Sequence, residues 1–358
     1  IRSCAMRLFL IARHYPPLVS GGARRPFLMA KALRRAGVTV NVIAPALPPG
    51  EPGICIPHAN PTPITGPSAS SGRLSGFKNG LRSQLLWPDP DIRWARRAAS
   101  ALQQSGLVRR HDWVMTTSPP ESLHAAASSL IRQTGAYWIA DMRDSWLSDP
   151  LTPLRANAFR RNLETRLARR WFNHATLVIS ATESIRSEAM TLSGLPDDRV
   201  LLIEQASEAL PLPDPSVGGN KRLHLVHLGS FSLSDPNRHI APFLSFCRQA
   251  REAGIPLTVH LVGRLLETEA QAAQSSLGDD VVLYGALPRT EALEHAVNAD
   301  VLALVAAPGT TAIPGKLAEY RAAQKPIICI GGGDWSNALF PRSTDPLDTL
   351  RSEEHTSE

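Results

Sequence analysis

The sequence has few cysteines and no long apolar run, and both absences narrow the classes of protein it can belong to. Its four cysteines among 358 residues are scattered, with no CxxC pair and no histidine at zinc-ligand spacing, which argues against a disulfide framework and a zinc site. The longest apolar stretches, such as 8–12 and 257–262, are far too short to cross a bilayer. Residues 13–17, Arg-His-Tyr-Pro-Pro, interrupt the first of them, so it does not resemble a secretory signal. We therefore expect a cytoplasmic protein.

The composition is that of an ordinary globular protein. Hydrophobic residues make up 43% and charged residues 20% of the chain. A length of 358 residues exceeds what one hydrophobic core usually supports, so two domains are expected.

The charge is divided unevenly along the chain. Residues 6–210 contain 25 Lys and Arg against 15 Asp and Glu, whereas residues 211–358 contain 12 against 17. A basic first half suggests that it faces something anionic, such as a membrane surface, a lipid diphosphate or nucleic acid. An arginine-rich surface that is merely solvated explains the charge about as well.

Apolar strands alternate with helical patterns in two separate series. The first series predicts an α/β domain over 6–208, with a loop-rich insertion at 45–92. The segment 209–221 is rich in proline and glycine and predicts a linker, and the strand-helix alternation resumes over 222–350. Each series predicts a doubly wound parallel sheet of Rossmann-like type.

The last eight residues, 351–358, resemble one reading frame of a sequencing-library adaptor. An ordinary polar tail is the alternative. On the first interpretation the natural protein continues differently after Leu350, and the second domain of this chain is incomplete.

The segment Ile313 to Tyr320, with the sequence IPGKLAEY, is the strongest local pattern. Pro314 and Gly315 predict a helix start, where unpaired backbone N–H groups favour an anion such as phosphate. Lys316 adds a positive charge, and the carboxylate of Glu319, one turn later, can accept hydrogen bonds from vicinal ribose hydroxyls. The apolar strand 300–307 precedes this helix, which places the motif where α/β sheets bind ligands. A capped helix with solvated side chains is the alternative.

Polar and glycine-containing segments also follow the predicted strands of the first domain. Gly21 and Gly22 follow the first strand, the stretch from Ser118 to His124 follows a later one, and Asp141-Met-Arg143-Asp144 ends the next. We expect them to meet at one edge of the sheet. The alternatives are an ordinary glycine turn and a self-neutralised salt-bridge cluster. The predicted helix Arg155–His174 is rich in arginine, and its Arg155–Arg170 part could lie on anionic lipid headgroups.

In the second domain, Gly229 and Ser230 follow the first strand, Arg238 opens the next predicted helix, and Gly263 follows the second strand. These residues extend the predicted ligand site.

Four motifs in order make the chain resemble family 4 of the nucleotide-sugar-dependent glycosyltransferases. The motifs are a P-P-x-x-G-G-like turn at 16–22, S-P-P-x-S-x-H at 118–124, D-x-R-D-x-W at 141–146 and I-P-G-K-L-x-E-Y at 313–320. The resemblance implies the GT-B architecture, in which two Rossmann-like domains face each other across a cleft. It also implies that the second domain binds the donor, with Glu319 on the ribose and Gly315 and Lys316 at the diphosphate.

The motifs and the strand-end positions together define the predicted site. The predicted donor-binding residues are Gly229, Ser230, Arg238, Gly263, Thr311, Pro314, Gly315, Lys316, Leu317 and Glu319. The predicted catalytic residues are Asp141, Arg143, Asp144 and Lys316. The predicted acceptor and phosphate loop contains Gly21, Gly22, Ser118 and His124. Thr311 stands where the family usually has a second glutamate, a departure that bears on how the sugar hydroxyls are bound.

The resemblance implies a retaining glycosyltransferase of cell-envelope glycan synthesis. We expect a UDP-sugar donor, a lipid-linked or polysaccharide acceptor, no metal or other cofactor and no nucleic acid. Peripheral contact with the inner face of the cell membrane, through the arginine-rich helix, is also expected. A sugar-nucleotide epimerase of the same fold and a non-catalytic sugar-nucleotide-binding protein are the alternatives.

Overall fold

The computed structural model describes most of the chain. The described residues are 6–18, 21–58, 88–147, 158–208, 210–214, 222–310, 313–340 and 347–350. The chain divides into two compact units, Ile1–Gln205 and Ala206–Glu358. Each unit contains its own parallel sheet. Thr311, most of the predicted insertion 45–92 and the predicted tail 351–358 lie outside the described residues.

The first unit is built on a seven-stranded parallel sheet. Its strands are β1 Arg7–Ile11, β2 Thr39–Ala44, β3 Gly53–Cys55, β4 Trp113–Ser118, β5 Tyr137–Met142, β6 Leu177–Ser180 and β7 Val200–Leu202. Its helices are α1 Gly21–Arg35, α2 Ile92–Gln104, α3 Ser122–Thr134, α4 Ala158–Phe172 and α5 Glu183–Ser193. The strands lie in the order β3-β2-β1-β4-β5-β6-β7, so the direction of winding reverses between β1 and β4, which is where such sheets bind ligands.

Apolar clusters cover both faces of this sheet. On one face Trp138 of β5 packs with Trp94 of α2 and Phe172 of α4. On the other face Leu10 of β1 packs in a second cluster that includes Ala30 of α1. Burial on both faces explains why these strands are nearly continuous apolar runs.

The second unit contains a five-stranded parallel sheet. Its strands are β8 Leu223–Leu228, β9 Leu257–Val262, β10 Val281–Gly285, β11 Val301–Pro308 and β12 Ile327–Gly332. Its helices are α6 Ala241–Glu252, α7 Glu267–Leu277, α8 Arg289–Val297, α9 Leu317–Ala322 and α10 Asp334–Leu339. The order is β10-β9-β8-β11-β12, and the winding reverses between β8 and β11. The two parallel sheets predicted from the sequence are confirmed.

Several predicted boundaries are wrong in an informative way. Gly21 and Gly22 are the first two residues of α1 rather than a turn before it. Helix α6 begins at Ala241, so Arg238 lies in the preceding loop, where its N–H bonds to the carbonyl of Asp235 at 2.9 Å. The short strand β3 was not predicted, because its proline- and glycine-rich surroundings indicated a loop. None of the helices in the described residues is both long and apolar enough to cross a bilayer.

Candidate functional site

In the second unit, the predicted residues gather at the carboxyl end of β8, beside the reversal point of the sheet. Lys316 lies after β11, and its Nζ donates a hydrogen bond to the carbonyl oxygen of Leu228, the last residue of β8. Gly229 follows with a positive φ of 99°. A Cβ at this position would lie 2.9 Å from the Lys316 Nζ. Glycine is therefore required here both by the backbone conformation and by the ammonium group beside it.

A second glycine brings β9 into the same site. Gly263 has a φ of 156°, and a side chain there would collide with the carbonyl group of Gly229. The Gly229 N–H bonds to the carbonyl of Val262 at 2.6 Å. The loops after β8 and β9 are therefore in direct backbone contact, as the two predicted glycine positions require. Ser230 continues the β8 loop, with its Oγ 2.9 Å from the Oγ of Ser234.

Two cations share this site. Burial, together with repulsion from the guanidinium of Arg238, lowers the pKa of Lys316 to about 7. Arg238 is itself buried enough for its pKa to be lowered; its Nη1 bonds to Ser234 Oγ at 3.2 Å, and Asp235 is 4.0 Å away. Like charges that are held together away from water are destabilising unless an anion joins them. This arrangement is suited to bind a phosphate group.

The helix that carries Lys316 begins later than predicted. Helix α9 starts at Leu317, with Lys316 as its N-cap residue, and contains only six residues. The Leu317 N–H bonds to the carbonyl of Pro314 at 2.9 Å, so a turn through the exposed Gly315 precedes the helix. The Leu317 side chain is buried in an apolar cluster. Its predicted contact with the donor is therefore wrong, at least for the side chain, because the aliphatic group packs in the core.

Glu319 lies one turn after Lys316 but is already paired. Its Oε1 accepts a hydrogen bond from Arg289 Nη2 at 2.8 Å. Burial raises the pKa of Glu319, while Arg289 opposes that change. Arg289 is the first residue of α8 and was not predicted as a site residue. It holds the Glu319 carboxylate in one orientation.

Tyr320 and His227 are two further residues that sequence reasoning missed. The Tyr320 hydroxyl accepts a hydrogen bond from the Leu228 N–H at 2.8 Å and lies 3.3 Å from the carbonyl of Ala303. Lys316 and Tyr320, four residues apart, therefore fix α9 to the carbonyl and to the N–H of Leu228. His227 is buried, with Nδ1 2.9 Å from the carbonyl of Ala303, and burial and Lys316 hold its pKa well below the ordinary value. It contributes a neutral ring beside the cations.

In the first unit, three loops meet at the carboxyl ends of β1, β4 and β5. Arg143, just after β5, donates hydrogen bonds to the carbonyl of Gly22 and, at 3.0 Å, to the carbonyl of Pro119. A Cβ at Gly22 would lie 2.8 Å from Arg143 Nη2, whereas Gly21 has open space around it. A side chain at Gly22 would therefore displace the guanidinium of Arg143 from its present position.

Two other predicted residues lie beside this junction. Asp144 is the exposed member of the cluster, with a side chain that is 61% exposed and lies 3.4 Å from Arg143 Nε. Ser118 is buried, and its Oγ lies 3.4 Å from the carbonyl of Asp141. Arg143 and Asp144 thus stay together in the same cluster.

The structure corrects the role predicted for Asp141. Its side chain is 0% exposed and accepts hydrogen bonds from Arg25 Nε of α1, at 2.9 and 3.1 Å, and from Thr117 Oγ1 at 2.8 Å. A fully buried, paired carboxylate cannot orient an acceptor in this conformation. Asp141 instead holds α1 against the end of β5 through Arg25, a partner outside the self-neutralised cluster that was the alternative.

His124 also differs from the prediction. Its ring is 0% exposed, and its Nδ1 lies 2.9 Å from Thr116 Oγ1. The ring packs among aromatic side chains, 5.4 Å from Phe172 and 6.0 Å from Trp138. Burial lowers its pKa to about 3. It is a neutral core residue rather than part of an acceptor loop.

The comparison with known families covers most of the first unit. Residues 20–205 match the model of the glycosyl transferase 4-like domain, which is more than half of the 358 residues. The chain belongs to the glycosyl transferase 4-like family. No curated protein is significantly similar to this family member in sequence.

Solved structures resemble this glycosyl transferase 4-like protein over nearly its whole length. The crystal structure of Anabaena Alr3699/HepE in complex with UDP and glucose has a TM-score of 0.58 at 13% identity and covers 98% of this chain and 94% of that one. The catalytic domain of starch synthase IV from Arabidopsis thaliana, bound to ADP and acarbose, has a TM-score of 0.61 at 12% identity, with 95% and 86% covered. A putative UDP-N-acetylglucosamine 2-epimerase from Listeria monocytogenes has a TM-score of 0.56 at 10% identity, with 97% and 90% covered. At these identities the likeness concerns the fold, and the predicted GT-B fold is confirmed.

Proposed function

We propose that this chain is a retaining glycosyltransferase that moves a sugar from a UDP-sugar to a lipid-linked or polysaccharide acceptor in cell-envelope glycan synthesis. The observation that carries the proposal is the position of the Lys316 ammonium, on the carbonyl of Leu228 and beside Gly229, at the reversal point of the second sheet. The choice of UDP is supported by Anabaena Alr3699/HepE, which has been crystallised with UDP-glucose. The basic charge of the first half supports an anionic acceptor or surface.

The diphosphate of the donor would lie against the two cations. Lys316 and Arg238 would each donate charge-assisted hydrogen bonds to its oxygens, which are stronger than bonds between neutral groups. The anion would relieve the repulsion between the cations and raise the pKa of Lys316 from about 7. Glycine at 229 and 263 would let the phosphates approach the backbone closely.

Glu319 would accept hydrogen bonds from the two ribose hydroxyls of the donor. Its distance along the chain from Lys316, three residues or about 4.5 Å of helix rise, suits a ribose next to the diphosphate. Arg289 would keep the carboxylate ionised and oriented, since its guanidinium already bonds to one of the oxygens. Arg289 is thus proposed as a positioning residue.

The reaction would replace one bond of the sugar carbon C1 with another on the same face. The bond from C1 to the β-phosphate oxygen breaks, the acceptor oxygen forms a new bond to C1, and the acceptor proton passes to an oxygen of the departing diphosphate. Negative charge accumulates on the leaving phosphate, so Lys316 and Arg238 would stabilise the transition state more than the ground state. We assign Arg143 and Asp144 to the acceptor because they are polar groups at the ligand-binding edge of the first sheet.

Substitution of Lys316 tests the proposal. Lys316→Met keeps the aliphatic stem and removes the charge, and Lys325→Met removes the same charge just before β12, at the opposite end of the sheet. We expect isothermal titration calorimetry to detect UDP binding to the unmodified protein and to Lys325→Met. The transfer rate of Lys316→Met should fall about 10²- to 10³-fold, as for other lost electrostatic contacts to the transition state. Equal UDP affinity and turnover in both variants would contradict the donor site.

Gly22→Ala tests whether the donor is bound by the second unit alone. The added methyl group should displace Arg143 and lower transfer without changing UDP affinity, whereas Gly21→Ala, where space is open, should leave both unchanged. Loss of UDP binding in Gly22→Ala would contradict the assignment of the donor to the second unit.

A sugar-nucleotide epimerase is the second candidate, since the Listeria structure shares this fold. Such an enzyme converts the donor without any acceptor. NMR of a UDP-sugar incubated with the protein alone distinguishes the two, because a free epimer would form only in an epimerase.

We also propose that the arginine-rich helix α4 faces an anionic membrane surface. Its exposed arginines, Arg161, Arg166, Arg169 and Arg170, support this.

A further inference from the structure

Helix α4 and its neighbour α3 form a pocket on the first unit, away from the loops described above. The pocket has a volume of about 170 Å³ and is lined by Ala125, Ser128 and Arg132 of α3, by Leu167, Arg170 and Trp171, and by His174. No lining residue is acidic. Its floor is held by His174, whose Nδ1 lies 3.2 Å from Ser128 Oγ and 3.3 Å from the carbonyl of Trp171. The pocket thus combines positive charge with an aromatic and an aliphatic wall.

The two arginines at its rim are available to a ligand. Arg132 and Arg170 are both exposed, and neither forms an ion pair or hydrogen bond with another of the described residues. They approach the pocket from different helices. Two guanidinium groups that flank a concave site are suited to a phosphate group, which they can bind through pairs of parallel hydrogen bonds.

The single acid of α4 does not offset this charge. Glu164 is buried, and its carboxylate accepts hydrogen bonds from Trp146 Nε1 at 2.6 Å and from Arg160 Nε. Its negative charge therefore lies inside the unit, where Trp146 and Arg160 bind it. The outward surface of α4 keeps the full charge of its exposed arginines.

The outward face of α4 continues from the pocket into an apolar surface. Phe159, Leu163, Arg166 and Arg170 follow one another at spacings of four, three and four residues, which places them on one side of the helix. Phe159 is 78% exposed and Leu163 is 40% exposed. A surface that combines large exposed apolar side chains with arginines is suited to contact an anionic membrane, whose headgroups attract the arginines.

We propose that the pocket between α3 and α4 binds the phosphate of an anionic phospholipid, with Phe159 and Leu163 entering the acyl boundary beside it. Arg132 and Arg170 would hold the phosphodiester, and Trp171 would lie at headgroup level, where aromatic rings are favoured. The inference rests on the proposed membrane-facing role of α4 and goes beyond it by naming a headgroup site. It does not depend on the sugar transferred or on the nucleotide.

Vesicle flotation of the full chain tests this site. The probes are phosphatidylcholine vesicles with and without phosphatidylglycerol. We expect binding only with phosphatidylglycerol. The double variant Arg132→Gln/Arg170→Gln should lose more in the partition coefficient than the roughly 30-fold that two basic residues near an anionic surface contribute without a specific headgroup contact, at roughly fivefold each. Phe159→Ser/Leu163→Ser should also weaken binding, and by a similar amount at low and high salt, because apolar burial is not screened.

Two matched controls separate the pocket from the surface charge. Arg93→Gln/Arg96→Gln removes two exposed charges from α2, and Arg161→Gln/Arg166→Gln removes two from α4 outside the pocket. If all three arginine pairs weaken binding equally, the pocket is not a headgroup site although the membrane-facing surface stands. If the unmodified chain does not bind phosphatidylglycerol vesicles at all, both ideas fail. The far-UV circular dichroism spectrum and the urea midpoint, measured alongside, should be unchanged in every variant and report that each one is folded.

Discussion

At the scale of single residues, the charge state of Lys316 is the most consequential feature of the second unit. Its ammonium is surrounded by the carbonyl of Leu228, the Cα of Gly229 and the nearby Arg238. Burial and repulsion together lower its pKa to about 7. A lysine in this range is only partly protonated at neutral pH until an anion arrives. Donor binding and proton uptake should therefore be linked.

This linkage predicts how affinity depends on pH. The diphosphate of UDP-glucose stays dianionic between pH 6 and 8. Any change of affinity in this range therefore comes from a titrating group of the protein. Below about pH 7 Lys316 is protonated with or without ligand, and affinity should be constant. Above it, binding requires proton uptake, and affinity should fall by about tenfold by pH 8. Calorimetry in buffers of different ionisation enthalpy measures both affinity and proton uptake, and Lys316→Met should bind weakly with no such decline.

The same residue scale shows where sequence patterns suffice. Lys316, Glu319, Gly229 and Gly263 could be predicted because each follows a recognisable strand. Asp141 could not be separated from a catalytic carboxylate, because its partner Arg25 lies 116 residues away in the chain. A partner at that distance leaves no local pattern.

At the scale of elements, strands were easier to predict than helices. Strands β8 and β9 are mostly apolar runs that are each followed by a glycine, so their bounds follow from the sequence. Helices α7 and α8 were not predicted: they are mostly polar, with few buried residues, so their periodicity is weak. Helix α9 is held by the contacts of Lys316 and Tyr320 with Leu228 rather than by a strong cap, and its start was therefore misplaced.

The packing of α1 against β5 provides a test at this scale. The Arg25–Asp141 pair is almost completely buried, with its closest N–O distance at 2.8 Å. Asp141→Asn leaves the guanidinium buried without its counter-charge and should lower the free energy of unfolding by about 3–5 kcal/mol. Arg25→Met/Asp141→Leu removes both charges and should lower it by much less than the sum of the two single changes. Urea unfolding measures these values.

An exposed ion pair is the control for this cycle. Arg251→Met breaks the exposed contact of Arg251 with Asp280 and should change stability by less than about 1 kcal/mol. If Asp141→Asn keeps full stability and instead abolishes transfer, Asp141 is catalytic after all, and the structural role assigned to it is wrong.

At the scale of the whole molecule, the two units differ in charge and in their apolar clusters. The first half is strongly basic and the second is acidic overall, so the Lys316–Arg238 site is a local positive feature within an acidic unit. Chain length predicted two units, and the alternation of strand and helix patterns predicted their fold class. It could not predict this local reversal of sign, which arises because residues 229, 238 and 316 meet only after folding.

Separate cores predict that a nucleotide stabilises one unit directly. Phe172 and Phe243 are both fully buried, the first in the first unit and the second in the second. Phe172→Ala and Phe243→Ala should each lower the free energy of unfolding of their own unit by about 3–5 kcal/mol. The calorimetric transition that each variant lowers is then the transition of that unit. UDP at one hundred times its dissociation constant adds about 2.7 kcal/mol to the free energy of unfolding of the unit that binds it. We expect UDP to raise the transition temperature of the unit that Phe243→Ala destabilises. If UDP raises only the transition temperature that Phe172→Ala lowers, the donor site is contradicted. If both variants lower one single transition, the two units unfold together. In that case Lys316→Met must abolish the rise in transition temperature that UDP causes.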